Sequence, residues 1–172
     1  MNSYFVCNNC YLNLQEITKD FSKDHFFKIQ QDHYFGDSEI FNSRLMNKIE
    51  AEDNKIKLNM IHKYLGNSSK ILEIGPGSGS FAKLIEDLQF NITLVEESSA
   101  LSKNLVRIIK GKVVNKNISE YKTDERYDAV CAFQVIEHVI DLNQHLKDIK
   151  NLLKPKGLIF LTTPNADSFE HK

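Results

Sequence analysis

A doubly wound, mostly parallel α/β sheet of about five strands, with helices on both faces, is the fold class that the sequence predicts. Three observations predict it. Beyond about residue 68, strand-like and helix-like segments alternate. The first of these strands runs into a glycine-rich turn, Gly75-Pro76-Gly77-Ser78-Gly79, and then into a helix. The helical segments carry apolar residues at intervals of three and four.

Each element follows from its own residues. Asn42 to Leu65 is helical in composition: Leu45, Ile49 and Ile56 fall near one face, and Ile61 and Leu65 continue it. The polar run Glu52-Asp53-Asn54 is a point where this stretch can divide into two helices, and Gly66-Asn67 ends it. Lys70 to Ile74 reads as the first buried strand. Phe81, Leu84, Ile85 and Leu88 then fall at helical spacing, and Asn91 to Val95 is the second strand. Ser98 or Ser99 caps a helix carrying Leu101, Leu105 and Ile108. Lys112 to Val114 is a short third strand and Asp128 to Phe133 the fourth. Leu142 to Leu153 is a helix with Leu142, Leu146, Ile149 and Leu153 on one face. Pro155-Lys156-Gly157 turns the chain into a fifth strand, Leu158 to Thr162. Right-handed crossovers make the whole a Rossmann-like sheet.

Composition narrows the function classes. The 172 residues suit one domain with a short appendage, residues 1–67 forming an N-terminal segment and 68–172 the sheet domain. Hydrophobic residues make up 41% and charged residues 26%, enough for a packed core. The net charge of -1 gives no basic surplus for nucleic acid or anionic lipid, so neither is an expected partner. No apolar run approaches the length that spans a bilayer, and Met1 to Asp20 does not read as a signal peptide. Three cysteines, an odd number, argue against a disulfide framework. A cytoplasmic protein with reduced thiols is expected.

The chemistry concentrates in Glu73-Ile74-Gly75-Pro76-Gly77-Ser78-Gly79. Glycine tolerates positive φ and lets a ligand touch the backbone. In open α/β sheets the ligand crevice lies at the carboxyl ends of the strands. A dinucleotide turn reads G-x-G-x-x-G/A, but here Ser80 takes the last position and Gly79 comes one residue early. Glu73 would be unwelcome beside a pyrophosphate. It suits a ligand with a sulfonium and an ammonium group, through water if necessary. Glu96, at the end of the second strand, can accept bonds from both ribose hydroxyls, with Glu97 as a substitute. The bland alternatives are a glycine turn without ligand and a solvated strand-end charge.

Glu73 to Gly79 followed by Glu96 resembles the cofactor half of the class I S-adenosylmethionine-dependent methyltransferases. Tyr127 to Val139 is similar to their fourth strand and following loop, and Leu153 to Asn165 to their fifth-strand region. The wording is closest to the branch that holds ubiquinone-biosynthesis O-methyltransferases and many sugar and small-molecule methyltransferases. The resemblance covers roughly residues 68 to 165. It implies S-adenosylmethionine as cofactor, S-adenosylhomocysteine as product and a small-molecule acceptor. By the same resemblance Gly75, Pro76, Gly77 and Gly79 carry the cofactor turn. Asn117 and Ile118 border the adenine, an Asp being more usual near Asn117, and Phe133 and Gln134 border the methionine part. Ordinary core packing is the other account of Phe133.

Methyl transfer is an in-line displacement in which positioning supplies much of the rate. An oxygen acceptor often also needs deprotonation, and His138, next to Glu137 and just past the fourth strand, is the candidate base. The other reading makes the pair a helix start, with Glu137 near the following helix N-terminus. In the ubiquinone-type enzymes this loop looks like a divalent-metal site of two Glu and a His. Here Gln134 stands at the first Glu position, so no metal is expected.

Two further features stay open. Cys7-Asn8-Asn9-Cys10 has the spacing of one zinc knuckle, half of a four-ligand site, which His25 and His33 are not familiarly spaced to complete. Two free thiols are the blander account, and Cys131 reads as core. The N-terminal helices can form a lid with His33, Tyr34 and Phe35 toward the substrate, although core packing explains these aromatics equally well. Nine residues follow Thr163, where the family continues with a helix and an antiparallel strand pair. A fragment is therefore expected, with a homodimer or partner chain covering the edge of the fifth strand. The competing function is a degenerate remnant that binds the cofactor without turnover. A nucleotide-dependent oxidoreductase is opposed by Glu73 and the place of Gly79.

Overall fold

The computed structural model describes the backbone of residues 4–6, 13–15 and 44–164, and the side chains of residues 48–164. Strands β1 (Tyr4–Val6) and β2 (Asn13–Gln15) form an antiparallel pair of their own. Helix α1 (Arg44–Tyr64) leads into β3 (Lys70–Ile74), α2 (Ser80–Asp87), β4 (Asn91–Val95), α3 (Ser99–Ile108) and β5 (Lys112–Val114). Then follow β6 (Tyr127–Phe133), α4 (Leu142–Leu152) and β7 (Leu153–Thr162), with 3-10 turns at Ile118–Glu120 and Ile136–His138. The half zinc knuckle of Cys7 and Cys10, and the aromatics His33, Tyr34 and Phe35, lie outside the described residues, as does His25.

Strands β3 to β7 make one all-parallel sheet in the order β5-β4-β3-β6-β7. Growth runs outward from β3 to β5, then reverses across β3 to β6 and β7. That reversal opens a crevice at the carboxyl edge between β3 and β6. Alternation along β3 splits the core into two layers. Ile71 packs with Ile61 of α1, Phe81 and Ile85 of α2 and Leu105 of α3. Leu72 and Ile74 pack on the other face with Ile118, Ile149 and Leu152. Cys131 is fully buried in β6, and burial, followed by nearby Glu73, pushes its thiol well above the ordinary range.

Two elements depart from the sequence reading. The N-terminal helix does not divide at Glu52-Asp53-Asn54. Glu52 pairs with Lys55, Asp53 pairs with Lys57, and the Asn54 amide is buried and donates to Ser80 Oγ at 3.0 Å. The polar run is thus satisfied without breaking the helix. Its inward face is also different: Ile49 and Ile56 are more than half exposed, whereas Asn54 and Ile61 are buried and Leu58 and Leu65 are partly so. The fifth strand begins at Leu153 instead of Leu158. Tyr127 pairs with Leu153 and Ala129 with Leu158, so Lys154 to Gly157 bulge out of the ladder. Lys156 takes φ 64 there, and Lys154 Nζ reaches back to Asp128 Oδ1 at 2.8 Å.

Candidate functional site

A cavity of about 460 Å³ opens at the carboxyl edge of the sheet, on the side of the strand-order reversal. It has the size of a small-molecule site. The sequence decides its shape first at the glycine turn. Gly75, Gly77 and Gly79 all take positive φ, at 62°, 55° and 79°. A Cβ on Gly75 would stand 2.9 Å from Val135 Cγ2, so any larger residue would push into the loop after β6. The Gly75 N–H donates to Val95 O and the Gly79 N–H to Pro76 O, which pins both ends of the turn. Gly75 and Gly77 line the cavity; Pro76 and Gly79 are buried behind it.

Glu96 forms the next wall. It is only 6% exposed, and burial raises its carboxyl to about 7, against the bond from the Ser98 N–H to Oε1 at 2.7 Å. Its Oε2 bonds no described residue. Glu97, exposed beside it, accepts from Asn117 Nδ2 at 2.7 Å. Asn117 Oδ1 caps the 3-10 turn, accepting from the Ser119 N–H and hydroxyl at 3.0 and 2.9 Å. Both halves of this amide are therefore engaged, and they hold Ile118 in the wall. Across the cavity stand Phe133, Gln134 and His138. Gln134 is held at φ 55, an uncommon region for a residue with a side chain, and its N–H donates to Thr162 O at 3.0 Å. His138 is exposed in the turn after β6 and lines the cavity, whereas exposed Glu137 does not.

Glu73 lies elsewhere. Its place in β3 turns it to the α1 side of the sheet, off the cavity wall, where it is 3% exposed and Oε2 has no hydrogen-bond partner. Burial drives its carboxyl up to about 8, with the Lys57 ammonium pulling the other way. Lys57 sits 4.9 Å from the Phe133 ring centroid, so a cation backs the ring whose residue faces the cavity.

The sequence reading missed the far wall. Asp141, Gln144, His145 and Asp148 line it from the start of α4. Their spacing of three, four and seven was a visible signal, because it places all four on one helical face. The Asp141 side chain caps α4 through the Gln144 N–H at 2.9 Å. Burial lowers the His145 imidazole below its ordinary range, opposed by Asp148. Among the described residues no group of three His, Cys, Asp or Glu side chains can hold a metal ion, and no helix is long and apolar enough to cross a membrane.

Comparison with known proteins agrees with this fold. A family model described as a methyltransferase domain matches residues 46–172. A ubiquinone biosynthesis O-methyltransferase of Rickettsia bellii is 30% identical over 101 residues, covering 56% of this chain and 42% of the relative. Its counterpart in Rickettsia conorii is 31% identical over 133 residues, covering 72% of this chain and 43% of the relative. The chain thus spans less than half the length of these relatives. The solved plantazolicin methyltransferase BpumL, in complex with a triazolic desmethylPZN analog and SAH, superposes with a TM-score of 0.63 at 17% identity. That superposition covers 83% of this chain and 59% of that one.

Proposed function

The chain belongs to the methyltransferase-domain family, and from that membership we propose that it binds S-adenosylmethionine in the carboxyl-edge cavity and methylates a small-molecule acceptor. One observation carries the reading. The cavity wall holds five carboxylates, on Glu96, Glu97, Glu120, Asp141 and Asp148, against one ammonium on Lys116. A cationic ligand is favoured there and a pyrophosphate is opposed.

The residues present fit the cofactor. The Gly75 and Gly77 backbone offers a surface that no side chain blocks, with Pro76 and Gly79 fixing the turn behind it. Glu96 Oε2 is an acceptor for the ribose hydroxyls. Ile118, held by Asn117, gives an apolar seat for the base, and Phe133 and Gln134 border the methionine part. Glu73, off the cavity wall and holding its proton below about 8, supplies no counter-charge to the cationic end, contrary to the expectation from the motif. When bound, the cofactor supplies a methyl group already activated by its sulfonium. The chain's own task is to orient the two reactants and keep them aligned. Relatives named O-methyltransferases favour an oxygen acceptor. His138 then takes the hydroxyl proton, with Glu137 beside it in the same turn. The activity belongs in the cytoplasm, where buried Cys131 stays reduced, and a second copy or partner covers the edge of β7.

Calorimetric titration with S-adenosylmethionine and S-adenosylhomocysteine tests the proposal. Micromolar binding is expected, weakened at least ~10-fold in Glu96→Ala by loss of a charge-assisted bond. Turnover of a hydroxyl-bearing acceptor is expected to fall ~100-fold in His138→Ala. A folded sample that binds neither nucleoside sinks the reading, and binding without turnover by any acceptor leaves a cofactor-binding remnant. Displacement of the cofactor by NAD points to redox chemistry instead.

A further inference from the structure

The glycine turn is tied from outside the sheet. Glu50, in the second turn of α1, accepts two bonds on one oxygen: from Ser80 Oγ at 2.6 Å and from Ser78 Oγ at 2.9 Å. Each hydroxyl also accepts one bond. Asn54 Nδ2 donates to Ser80 Oγ at 3.0 Å, and the Ser80 N–H donates to Ser78 Oγ at 3.3 Å. Every donor in this set has one acceptor, so the network has a single direction. Asn54 is 6% exposed, which fixes its amide against the α1–α2 contact.

The tie acts where the chain is least able to order itself. A turn with three positive-φ glycines loses much conformational freedom when it is fixed. Gly79 is the N-cap of α2 and has no side chain to satisfy that helix end. The Glu50 carboxylate brings negative charge to the same end through Ser80, the first residue of the helix. Gly75 and Gly77 of the same turn line the cavity.

We propose that Glu50 is a positioning residue for the cofactor: by holding Ser78 and Ser80 it fixes the glycine turn in its ligand-ready shape and couples helix α1 to occupancy of the cavity. The inference rests on the cofactor reading above. It assigns α1 a part in binding without a direct contact to the ligand. Preorganisation of this kind shows in affinity more than in fold stability.

The probe is S-adenosylhomocysteine, titrated calorimetrically into wild type, Glu50→Ala, Glu50→Gln and the Ser78→Ala/Ser80→Ala pair, with hydrogen exchange followed over residues 44–64. Glu50→Ala is expected to bind about 10-fold more weakly while the unliganded melting temperature moves by ~2 °C or less. Glu50→Gln keeps an acceptor oxygen and recovers part of the affinity. Glu50→Ala added to the serine pair costs no further affinity, because all three residues act through one network. Ligand slows exchange in α1 of the wild type and not in Glu50→Ala. Should Glu50→Ala fail to fold, the Gln variant and the serine pair carry the same comparison. Binding within twofold of wild type in all variants, or additive losses, overturns the inference alone. A wild type that does not bind overturns the cofactor reading and this inference with it.

Discussion

Glu73 stands at the carboxyl end of the central strand with one oxygen sealed from any partner. Burial raises its carboxyl from an ordinary 4.5 to about 8. Between those values the folded chain holds a proton that the unfolded chain has released. Stability from this group is therefore greatest below about 4.5 and falls as pH rises through about 8. Each unit of displacement corresponds to roughly 1.4 kcal/mol for a group so deeply buried. Glu96, raised to about 7, pulls the same way over a narrower window. Glu73→Gln removes only the first of these contributions. Without cofactor, it is expected to melt like the wild type near pH 5 and distinctly higher at pH 8. Parallel melting curves across that range would show that another group titrates. The acidic residue ahead of the glycine turn was legible in the sequence because the motif prints it. Its direction was not, since the alternation of β3 sends it toward Lys57, on a helix whose inward face the apolar spacing identified only in part.

At the scale of the element, legibility followed the strength of the local signal. The strands Lys70–Ile74 and Asn91–Val95 were read to the residue, because each is a short apolar run between clear stops. Ser98 was one of two caps considered, and its Oγ accepts from the Leu101 N–H at 3.4 Å. Helix α1 was read only in part: Ile61 and Leu65 turn inward as expected, but Ile49 and Ile56 do not, because its buried positions include a polar residue. Asn54 is buried for a bond to Ser80, which no apolar periodicity can announce. Strand β7 was started late because Pro155-Lys156-Gly157 is turn chemistry, and the structure uses it as a bulge within the strand. The α2–α3 contact gives a sharp test. Gly79 takes φ 79, and a Cβ there would lie 2.5 Å from Leu105 Cδ2. Gly66, outside the sheet, has nothing within 4 Å and no positive φ. Gly79→Ala is expected to destabilise by about 2 kcal/mol, from the left-handed penalty and the repacking of Leu105. Gly66→Ala is expected to change stability by ~0.5 kcal/mol or less. Chemical denaturation of the two variants checks the contrast, and equal midpoints would mean that α2 and α3 yield without cost.

The whole sheet was legible because alternating segments and right-handed crossovers leave few topologies, and the order β5-β4-β3-β6-β7 is one of them. Its edges were harder to read, because what lies beside an edge strand is a long-range property. Among the described residues β7 pairs only with β6. Its outer half presents Ile159 at 40% and Leu161 at 37% exposure on one face, and among the described residues its outer edge pairs with no further strand. The inner half is protected differently. Lys154 and Lys156 stand on the bulge, where charge and irregular backbone discourage pairing. If copies associate through this edge, the expected place is residues 158–162, where the ladder is regular through Thr162. Light scattering on this chain is expected to show a mass that rises with concentration over the micromolar range. Leu161→Lys, which puts a charge on the exposed face without touching the Phe160 side of the core, is expected to hold it monomeric. The same variant should keep its cofactor affinity, because Leu161 does not line the cavity. A monomer at every concentration would mean that the bulge alone protects the edge, and association that survives Leu161→Lys would move the contact to another face of the molecule.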